Sequence, residues 1–169
     1  SAAWSTVRTF CRTDRQLKGE AGAVAVLLTH SRRLDRHPHV HLVMPGASLD
    51  ARSRRWRTKT GYLFSQKALA QAGLHASGPL PGKWVVDCKR VGNGEKALVY
   101  LGRYLYRGVI READLLACDH DGSGQVSFRY RDSQSGETKV RTLPGADFLY
   151  LILQHVLPKG FRRARNYGF

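Results

Sequence analysis

Apolar residues in the first part of this chain recur at helical spacing and then at strand spacing. Residues Trp4 to Leu17 place their apolar side chains on one side of a basic segment, which predicts an amphipathic helix. After glycines at 19 and 22, the run Ala23 to Thr29 is apolar and rich in valine, which predicts a buried strand. The polar stretch Ser31 to Arg36 then turns the chain into a second strand. Because proline cannot donate to a strand ladder, this strand should begin at or just after Pro38.

The rest of the chain continues this mixture of element types. Loops are expected over Gly46 to Gly61 and Gly73 to Gly82, helices over Tyr62 to Ala72, Glu95 to Tyr106 and Phe148 to Val156, a strand over Trp84 to Arg90, and a hairpin formed by Gln125 to Arg131 and Thr138 to Thr142. The interspersed order favours an α+β fold in which helices cover a largely antiparallel sheet. At 169 residues the chain can bury one core, and we expect a single domain over residues 1–169.

Net charge is the strongest signal in the composition. The chain has 28 lysines and arginines against 13 acidic residues, a formal charge of +15 and a pI near 10.4. A globular domain this basic favours a polyanionic partner such as nucleic acid, because neutralised phosphates release condensed counterions. No apolar segment is long enough to cross a bilayer, so no membrane partner is expected. Three widely spaced cysteines without a Cys-x-x-Cys pair exclude a zinc ribbon inside this chain, argue against a disulfide framework and favour a reducing, intracellular setting.

A histidine-rich strand is the first candidate for chemistry. His37, His39 and His41 occupy alternate positions, and alternate side chains of a strand project to the same face, where they suit a bound metal ion. Solvated surface histidines are the alternative. Pro38 makes His39 and His41 firmer members of the strand than His37. With the turn at the middle of the preceding polar stretch, His30 lies opposite His37 and shares its face.

A helix with two tyrosines is the second candidate. On the helix predicted from residue 95, Tyr100 and Tyr104 lie one turn apart and face the same way as the cations Lys96 and Arg107. Nearby positive charge favours phenolate over phenol, which suits tyrosine nucleophiles that attack phosphate. The alternative is that both phenols pack against the fold with a solvated hydroxyl. Tyr106 is rotated away from this face and is interpreted as structural.

Taken together, these motifs resemble a known family. His39-Val40-His41 matches the histidine–hydrophobic–histidine signature of the HUH endonucleases. The two-tyrosine transposases of rolling-circle insertion sequences, of the IS-ninety-one type, have strings similar to Leu34-Asp-Arg-His-Pro-His-Val-His41, Tyr100-Leu-Gly-Arg-Tyr104 and Val156-Leu-Pro-Lys-Gly-Phe161. Trp84-Val-Val-Asp-Cys-Lys and the closing Asn-Tyr-Gly-Phe169 fit the same family. The resemblance spans residues 4 to 169.

The resemblance implies an RRM-like central antiparallel sheet flanked by helices, and the activity of a single-stranded DNA nickase and strand transferase. Tyr100 or Tyr104 would attack the scissile phosphate and leave a 5′-phosphotyrosine and a free 3′ hydroxyl. A divalent metal, Mg²⁺ or Mn²⁺, would be held by His39 and His41. The third ligand is open, because Leu28 stands where family members commonly carry a histidine.

His30 is the favoured third ligand, and His37, Asp35 and Glu95 are the alternatives. Family members also carry an N-terminal cysteine-rich zinc module that this sequence lacks, so we interpret the chain as the catalytic domain of a longer protein. It would act on single-stranded DNA at the transposon end and the target, in the bacterial cytoplasm and associated with the nucleoid. The sequence does not indicate an oligomeric state.

Basic residues with an interleaved aromatic side chain are the candidates for DNA contact. Cations suit the phosphate backbone, and an exposed indole suits a stacked base. Solvated charged faces are the alternative. The candidates are Arg54, Arg55, Trp56, Arg57, Lys59, Lys96, Arg103 and Arg107.

Two other function classes are compatible with part of the pattern. A catalytically silent single-stranded DNA-binding domain of the same fold would keep the basic surface without the chemistry. A metallohydrolase would use the histidine pair alone, but it needs a barrel for which 169 residues are too few.

Overall fold

The computed structural model of the chain describes residues 2–61, 63–76, 85–106, 109–118, 122 and 124–169, without the side chains of residues 73–76, 100 and 103–106. Its helices are α1 (Ala2–Thr13), α2 (Gln66–Ala76), α3 (Glu95–Tyr106) and α4 (Gly145–Leu153), with a 3-10 turn at Glu112–Asp114. Its strands are β1 (Ala23–His30), β2 (Arg36–Val43), β3 (Ala47–Leu49), β4 (Trp56–Thr58), β5 (Leu115–Cys118), β6 (Gln125–Arg131), β7 (Thr138–Pro144) and β8 (Ala164–Tyr167). The fold is α+β with antiparallel strand pairs, as the sequence predicts.

The described strands form three sheets. One has the order β2–β1–β8, a second pairs β3 with β4, and the third has the order β5–β6–β7. By contact the chain divides into two compact units. Unit 1 comprises Ser1–Val26, Leu42–Tyr100 and Ala164–Phe169, and unit 2 comprises Leu27–His41 and Leu101–Arg163. The single domain expected from the sequence stays a prediction.

Unit 1 is built around the apolar side of α1. Trp4, Val7 and Phe10 pack against a core of buried residues that includes Cys11. The helix ends at Thr13, four residues earlier than predicted, because the Asp14 carboxylate accepts hydrogen bonds from the backbone N–H groups that follow. The other carboxylate oxygen of Asp14 pairs with Lys59, in an ion pair whose side chains are both largely buried. This pair ties the end of α1 to the residue that follows β4.

Unit 2 is built around the β6–β7 hairpin. Phe128 of β6 is fully buried and packs with Phe148 of α4 and with Leu34 from the turn between β1 and β2. The hairpin is formed as predicted, since Asp132 accepts two backbone N–H groups in its turn. Leu34 has a φ of 70°. This left-handed conformation is costly for a residue with a side chain, so the packing of Leu34 holds it in place.

Several predicted boundaries are wrong for identifiable reasons. The loop expected over residues 46–61 contains the β3–β4 hairpin, whose turn is built by the Asp50 carboxylate accepting backbone N–H groups. β2 begins at Arg36, before Pro38, because β2 lies at the edge of its sheet among the described strands, where a missing N–H does no harm. The strand expected over residues 84–90 is wrong for residues 85–90, which form neither helix nor strand, and Trp84 lies outside the described residues.

The helices agree more closely with prediction. α3 has the predicted bounds. α2 begins at Gln66 because Ser65 caps it, and it continues to Ala76 into the stretch expected to be a loop, whose residues 77–82 lie outside the description. α4 begins earlier and ends earlier than predicted. Strands β5 and β8 were not predicted. Among the described residues, no helix combines the length and the apolar character required to cross a bilayer.

Candidate metal centre and nucleic-acid interface

The predicted histidine face is present on β2 in unit 2. The imidazole ring of His39 lies 5.0 Å from the ring of His37 and 5.0 Å from the ring of His41. His39 Nδ1 lies 2.7 Å from the backbone carbonyl oxygen of His37. A carbonyl oxygen only accepts hydrogen bonds, so Nδ1 carries the proton and Nε2 of neutral His39 keeps its lone pair. This is the usual arrangement of a metal-ligating histidine, in which a second group fixes the tautomer.

Burial keeps two other histidines of this unit neutral. It lowers the pKa of His41, with a further contribution from His39. It also lowers the pKa of His30 to about 4, with further contributions from His155, Arg163 and His39. Metal ligation requires the neutral imidazole, so both histidines are in the competent form at neutral pH.

The donors that this face offers to a metal ion are two imidazole nitrogens, one from His39 and one from His41. His39 and His41 share a strand and a face, and hard divalent ions take their remaining ligands from phosphate oxygens and water. Among the described residues, no group of three histidine, cysteine, aspartate or glutamate side chains is gathered closely enough to hold an ion. The third ligand expected from the sequence is therefore not assembled in the described part of the chain.

Two of the alternatives for that third ligand, Asp35 and Glu95, have partners elsewhere. Asp35 accepts a hydrogen bond of 2.7 Å from Arg141, which also donates to the carbonyl of Arg33. Glu95 belongs to unit 1, where Asn93 lies 3.5 Å away. The ring neighbour of His30 is His155, with centroids 4.8 Å apart.

His155 is the residue of this region that sequence reasoning missed. It lies just beyond α4 and is fully buried. Its Nε2 lies 3.0 Å from the carbonyl oxygen of Leu34, and its buried Nδ1 has no hydrogen-bond partner in the part of the chain that the structure describes. The available signal was a histidine at the end of a strongly apolar helix, next to Val156 of the string that carries the family resemblance.

The tyrosine helix is formed as predicted, but its key side chains are not described. α3 starts where Asn93 Oδ1 accepts the backbone N–H of Glu95, and its backbone places Tyr100 and Tyr104 one turn apart. The side chains of Tyr100, Arg103 and Tyr104 lie outside the description, as does the whole of Arg107. Lys96 is exposed. The catalytic role of the tyrosines stays a prediction.

The basic and aromatic residues around β4 form a surface of unit 1. Trp56 is 57% exposed, and its ring meets the ring of Phe169, which is 55% exposed, edge to face at 4.9 Å. Phe169 was not among the predicted contact residues, because its proximity to Trp56 arises from the fold and not from chain order. Arg54 and Arg55 are exposed.

Two of the cations predicted to contact DNA form ion pairs with carboxylates of the protein itself. Arg57 donates two hydrogen bonds to the Asp50 carboxylate and lowers the pKa of Asp50 to about 2. Lys59 pairs with Asp14 and is the main cause of the lowered pKa of that carboxyl group. The side chain of Lys59 is 18% exposed, so less of its charge is available to a partner than that of Arg54 or Arg55.

Comparison with known proteins gives two related curated sequences. “Putative transposase y4qJ” of Sinorhizobium fredii (strain NBRC 101917 / NGR234) is 32% identical over 200 residues, which cover 97% of this chain and 50% of that protein. “Transposase for insertion sequence element IS801” of Pseudomonas savastanoi pv. phaseolicola is 29% identical over 185 residues, which cover 88% of this chain and 43% of that protein. The chain spans about half the length of the curated relatives it matches.

A protein-family profile also matches the chain. No solved structure matches the chain significantly. The profile Y2_Tnp, described as “Putative transposase”, matches residues 22–78 and 74–169, which together make up most of the sequence. On this coverage, the chain belongs to the Y2_Tnp transposase family.

Proposed function

We propose that the chain is the catalytic domain of a rolling-circle transposase of the HUH type, which nicks and joins single-stranded DNA through a covalent tyrosine intermediate. The observation that carries the proposal is the histidine pair of β2. His39 has its tautomer fixed by a backbone carbonyl, and His41 is held neutral by burial, in a chain of a transposase family. An RRM-like arrangement of the sheet is part of the same proposal. The proposed setting is the bacterial cytoplasm, where the DNA is.

The chemistry falls to the histidines and the tyrosines. His39, through Nε2, and His41 would hold a divalent ion, Mg²⁺ or Mn²⁺, with His30 as the proposed third ligand. When bound, such an ion polarises the scissile phosphate as a Lewis acid. The oxygen of Tyr100 or Tyr104 forms a bond to phosphorus and loses its proton to solvent. The bond from phosphorus to the 3′ oxygen breaks, and that oxygen takes up a proton to become a free hydroxyl.

The phosphodiester energy is kept in the 5′-phosphotyrosine, so no nucleotide hydrolysis is required. Attack of the same 3′ hydroxyl on the phosphotyrosine reverses the reaction. Attack of a 3′ hydroxyl from another strand instead joins the two strands and releases the tyrosine. Two tyrosines one turn apart allow two such transesterifications in the same domain. This pairing is the reason to assign both Tyr100 and Tyr104 to the reaction.

The DNA strand is proposed to lie against the surface of unit 1 that contains Trp56. The exposed rings of Trp56 and Phe169 would stack with bases, and Arg54 and Arg55 would contact the phosphate backbone. Arg57, Lys59, Lys96, Arg103 and Arg107 stay candidates for further backbone contacts. Base stacking tolerates any sequence, so this surface would supply affinity more than sequence specificity.

One observation favours a second candidate function. No three metal-ligating side chains are gathered among the described residues, as expected of a catalytically silent domain that binds single-stranded DNA. Such a domain would keep the aromatic and basic surface of unit 1 and would not form a covalent bond with DNA.

Covalent adduct formation separates the two candidates. Single-stranded oligonucleotides that include the ends of the insertion sequence are incubated with the protein and Mn²⁺ or Mg²⁺, and adducts are detected on a denaturing gel. We expect a denaturant-resistant adduct that is lost in the double variant Tyr100→Phe, Tyr104→Phe. Tyr150→Phe is the matched control, because Tyr150 is an exposed tyrosine of a different helix, α4. Binding without an adduct for any oligonucleotide would favour the silent domain.

A further inference from the structure

His155 has a ring nitrogen, Nδ1, that has no hydrogen-bond partner among the described residues. The side chain is fully buried, so its Nδ1 is out of reach of bulk water. Its Nε2 lies 3.0 Å from the carbonyl oxygen of Leu34, and because that oxygen only accepts, Nε2 carries the proton. Nδ1 of the neutral ring therefore holds a lone pair and needs a donor. A buried acceptor without a donor is unfavourable, which makes an unpaired Nδ1 a reason to look for its partner.

The ring of His30 is the neighbour that can supply the donor. Its centroid lies 4.8 Å from that of His155, at an interplanar angle of 48°. Nδ1 of His30 lies 3.5 Å from the hydroxyl of Thr29, which leaves Nε2 for another contact. Arg163 also reaches His155, but it donates to the backbone carbonyl and not to the ring. Neutral His30 has one N–H group, and His155 offers it an acceptor.

We propose that His155 is a positioning residue that orients the ring of His30. In this proposal, His155 Nδ1 accepts a hydrogen bond from His30 Nε2. The chain of hydrogen bonds then runs from His30 through His155 to the carbonyl of Leu34. A rotation of the half-buried His30 ring brings the two nitrogens into hydrogen-bond geometry. The bond places the lone pair of His30 on Nδ1, and a metal ion bound there would replace the 3.5 Å contact with the Thr29 hydroxyl.

The position of Leu34 explains how such a contact would orient His30. Leu34 lies in the turn between β1, which ends at His30, and β2, which contains His39. Its side chain is in the core of unit 2, and its carbonyl holds His155. His155 therefore links a fixed point of the core to the ring at the end of β1. The purpose of this link, presenting His30 to a metal, rests on the proposed function, whereas the link itself does not.

The first experiment measures the link in the metal-free wild-type protein. The 169-residue chain is labelled with ¹⁵N-histidine, and long-range ¹H–¹⁵N spectra assign the tautomer of each ring. We expect the Nε2–H tautomer for both His30 and His155, and a ¹⁵N–¹⁵N coupling across the hydrogen bond from His30 Nε2 to His155 Nδ1. A His30 ring protonated on Nδ1 would overturn the proposal. This test needs no variant that might fail to fold, and no nuclease activity.

The second experiment measures Mn²⁺ affinity by calorimetry in three variants. His155→Leu fills the volume without a nitrogen, and we expect it to weaken Mn²⁺ binding by about 10–100-fold, as loss of a ligand-orienting group does. His155→Gln keeps a donor for Leu34 and an acceptor for His30, so it should recover most of that affinity. Gln154→Leu, at the exposed neighbouring position, is the control and should bind as wild type does.

These outcomes separate the proposal from the function on which it partly rests. Wild-type Mn²⁺ affinity in folded His155→Leu would overturn a positioning role, and so would an equal loss in His155→Gln and His155→Leu. A wild-type protein that binds no Mn²⁺ would count against the metal in the proposed function. In that case the ¹⁵N–¹⁵N coupling between His30 Nε2 and His155 Nδ1 alone decides whether the hydrogen bond between the two rings exists.

Discussion

Two backbone carbonyls fix which ring nitrogens of His39 and His155 carry lone pairs. The carbonyl of His37 holds Nδ1 of His39, and the carbonyl of Leu34 holds Nε2 of His155. Neither carbonyl can act as a donor, so neither tautomer can invert without breaking its hydrogen bond. At the residue scale, His39 is therefore prepared to ligate through Nε2, and His155 to accept through Nδ1.

The three histidines of β2 are expected to contribute differently to metal binding. His39→Ala and His41→Ala should each lower Mn²⁺ affinity and nicking by about 100-fold or more, beyond the range for loss of an orienting group. His37→Ala should change both by less than about 3-fold, because only the backbone carbonyl of His37 is used and alanine retains it. Calorimetry and a nicking assay provide the measurements. Equal losses in all three variants would contradict this assignment.

Cys11 gives a second test at the residue scale, directed at the core of unit 1. Burial raises the pKa of its thiol from 9.0 to about 11, with a contribution from the nearby Asp14 carboxylate. The thiolate is the reactive form, so at pH 8 the raised pKa alone lowers its fraction about 100-fold. We expect Cys11 to react with a disulfide reagent at least about 100-fold more slowly than the exposed Cys118 in the native protein. Similar rates, read by mass spectrometry of the labelled peptides, would contradict the buried position.

At the scale of elements, the sequence predicts those whose signals are local. α3 has its predicted bounds because Asn93 and Gly94, which directly precede the helix, mark its first residue in the sequence. The β6–β7 hairpin is equally local, since Asp132 builds its turn from neighbouring N–H groups. The histidine face of β2 follows from alternation alone.

Elements that depend on distant partners could not be predicted in the same way. β8 pairs with β1, more than a hundred residues away in the chain, and the tail has no apolar alternation to reveal a strand. His155 is similar, because its partners Leu34 and His30 are brought to it by tertiary packing. Phe169 gains its place beside Trp56 through the same strand. The parts of the candidate site that were missed are those that no local pattern encodes.

The end of α1 supplies a prediction at the element scale. The Lys59 hydrogen bond lowers the pKa of Asp14, so the folded state favours the carboxylate. This stabilisation is present above the ordinary carboxyl pKa of 3.8 and is lost as pH falls through the lower folded value. We expect Asp14→Asn to lower the free energy of unfolding by about 1–3 kcal/mol at pH 7, measured with urea. The difference from wild type should shrink below pH 3.8.

Asp87→Asn is the control for this prediction. Asp87 also pairs with a lysine, Lys89, but both side chains are well exposed, so its loss should cost less than about 0.5 kcal/mol. A difference between wild type and Asp14→Asn that stays constant from pH 7 to pH 3 would show that the charge of Asp14 does not stabilise the fold.

At the scale of the whole molecule, the positive charge exceeds what the protein neutralises internally. The acidic residues Asp14, Asp35 and Asp50 are each paired with a lysine or arginine, yet the formal charge of the chain remains +15. A surplus of this size favours a polyanionic partner and makes its binding sensitive to salt. Because the chain belongs to the Y2_Tnp transposase family, we propose that this polyanionic partner is DNA.

The measurement that most directly tests the central claim is a map of the covalent adduct. The protein is reacted with single-stranded DNA and Mn²⁺, then digested with nuclease and trypsin, and the peptide that carries a nucleotide is identified by mass spectrometry. Cleavage after Lys96, Arg103 and Arg107 separates Tyr100 from Tyr104. We predict a nucleotide on Tyr100 or Tyr104, absent when His39 is replaced by alanine. A nucleotide attached elsewhere, or an adduct that survives replacement of both tyrosines by phenylalanine, would contradict the account.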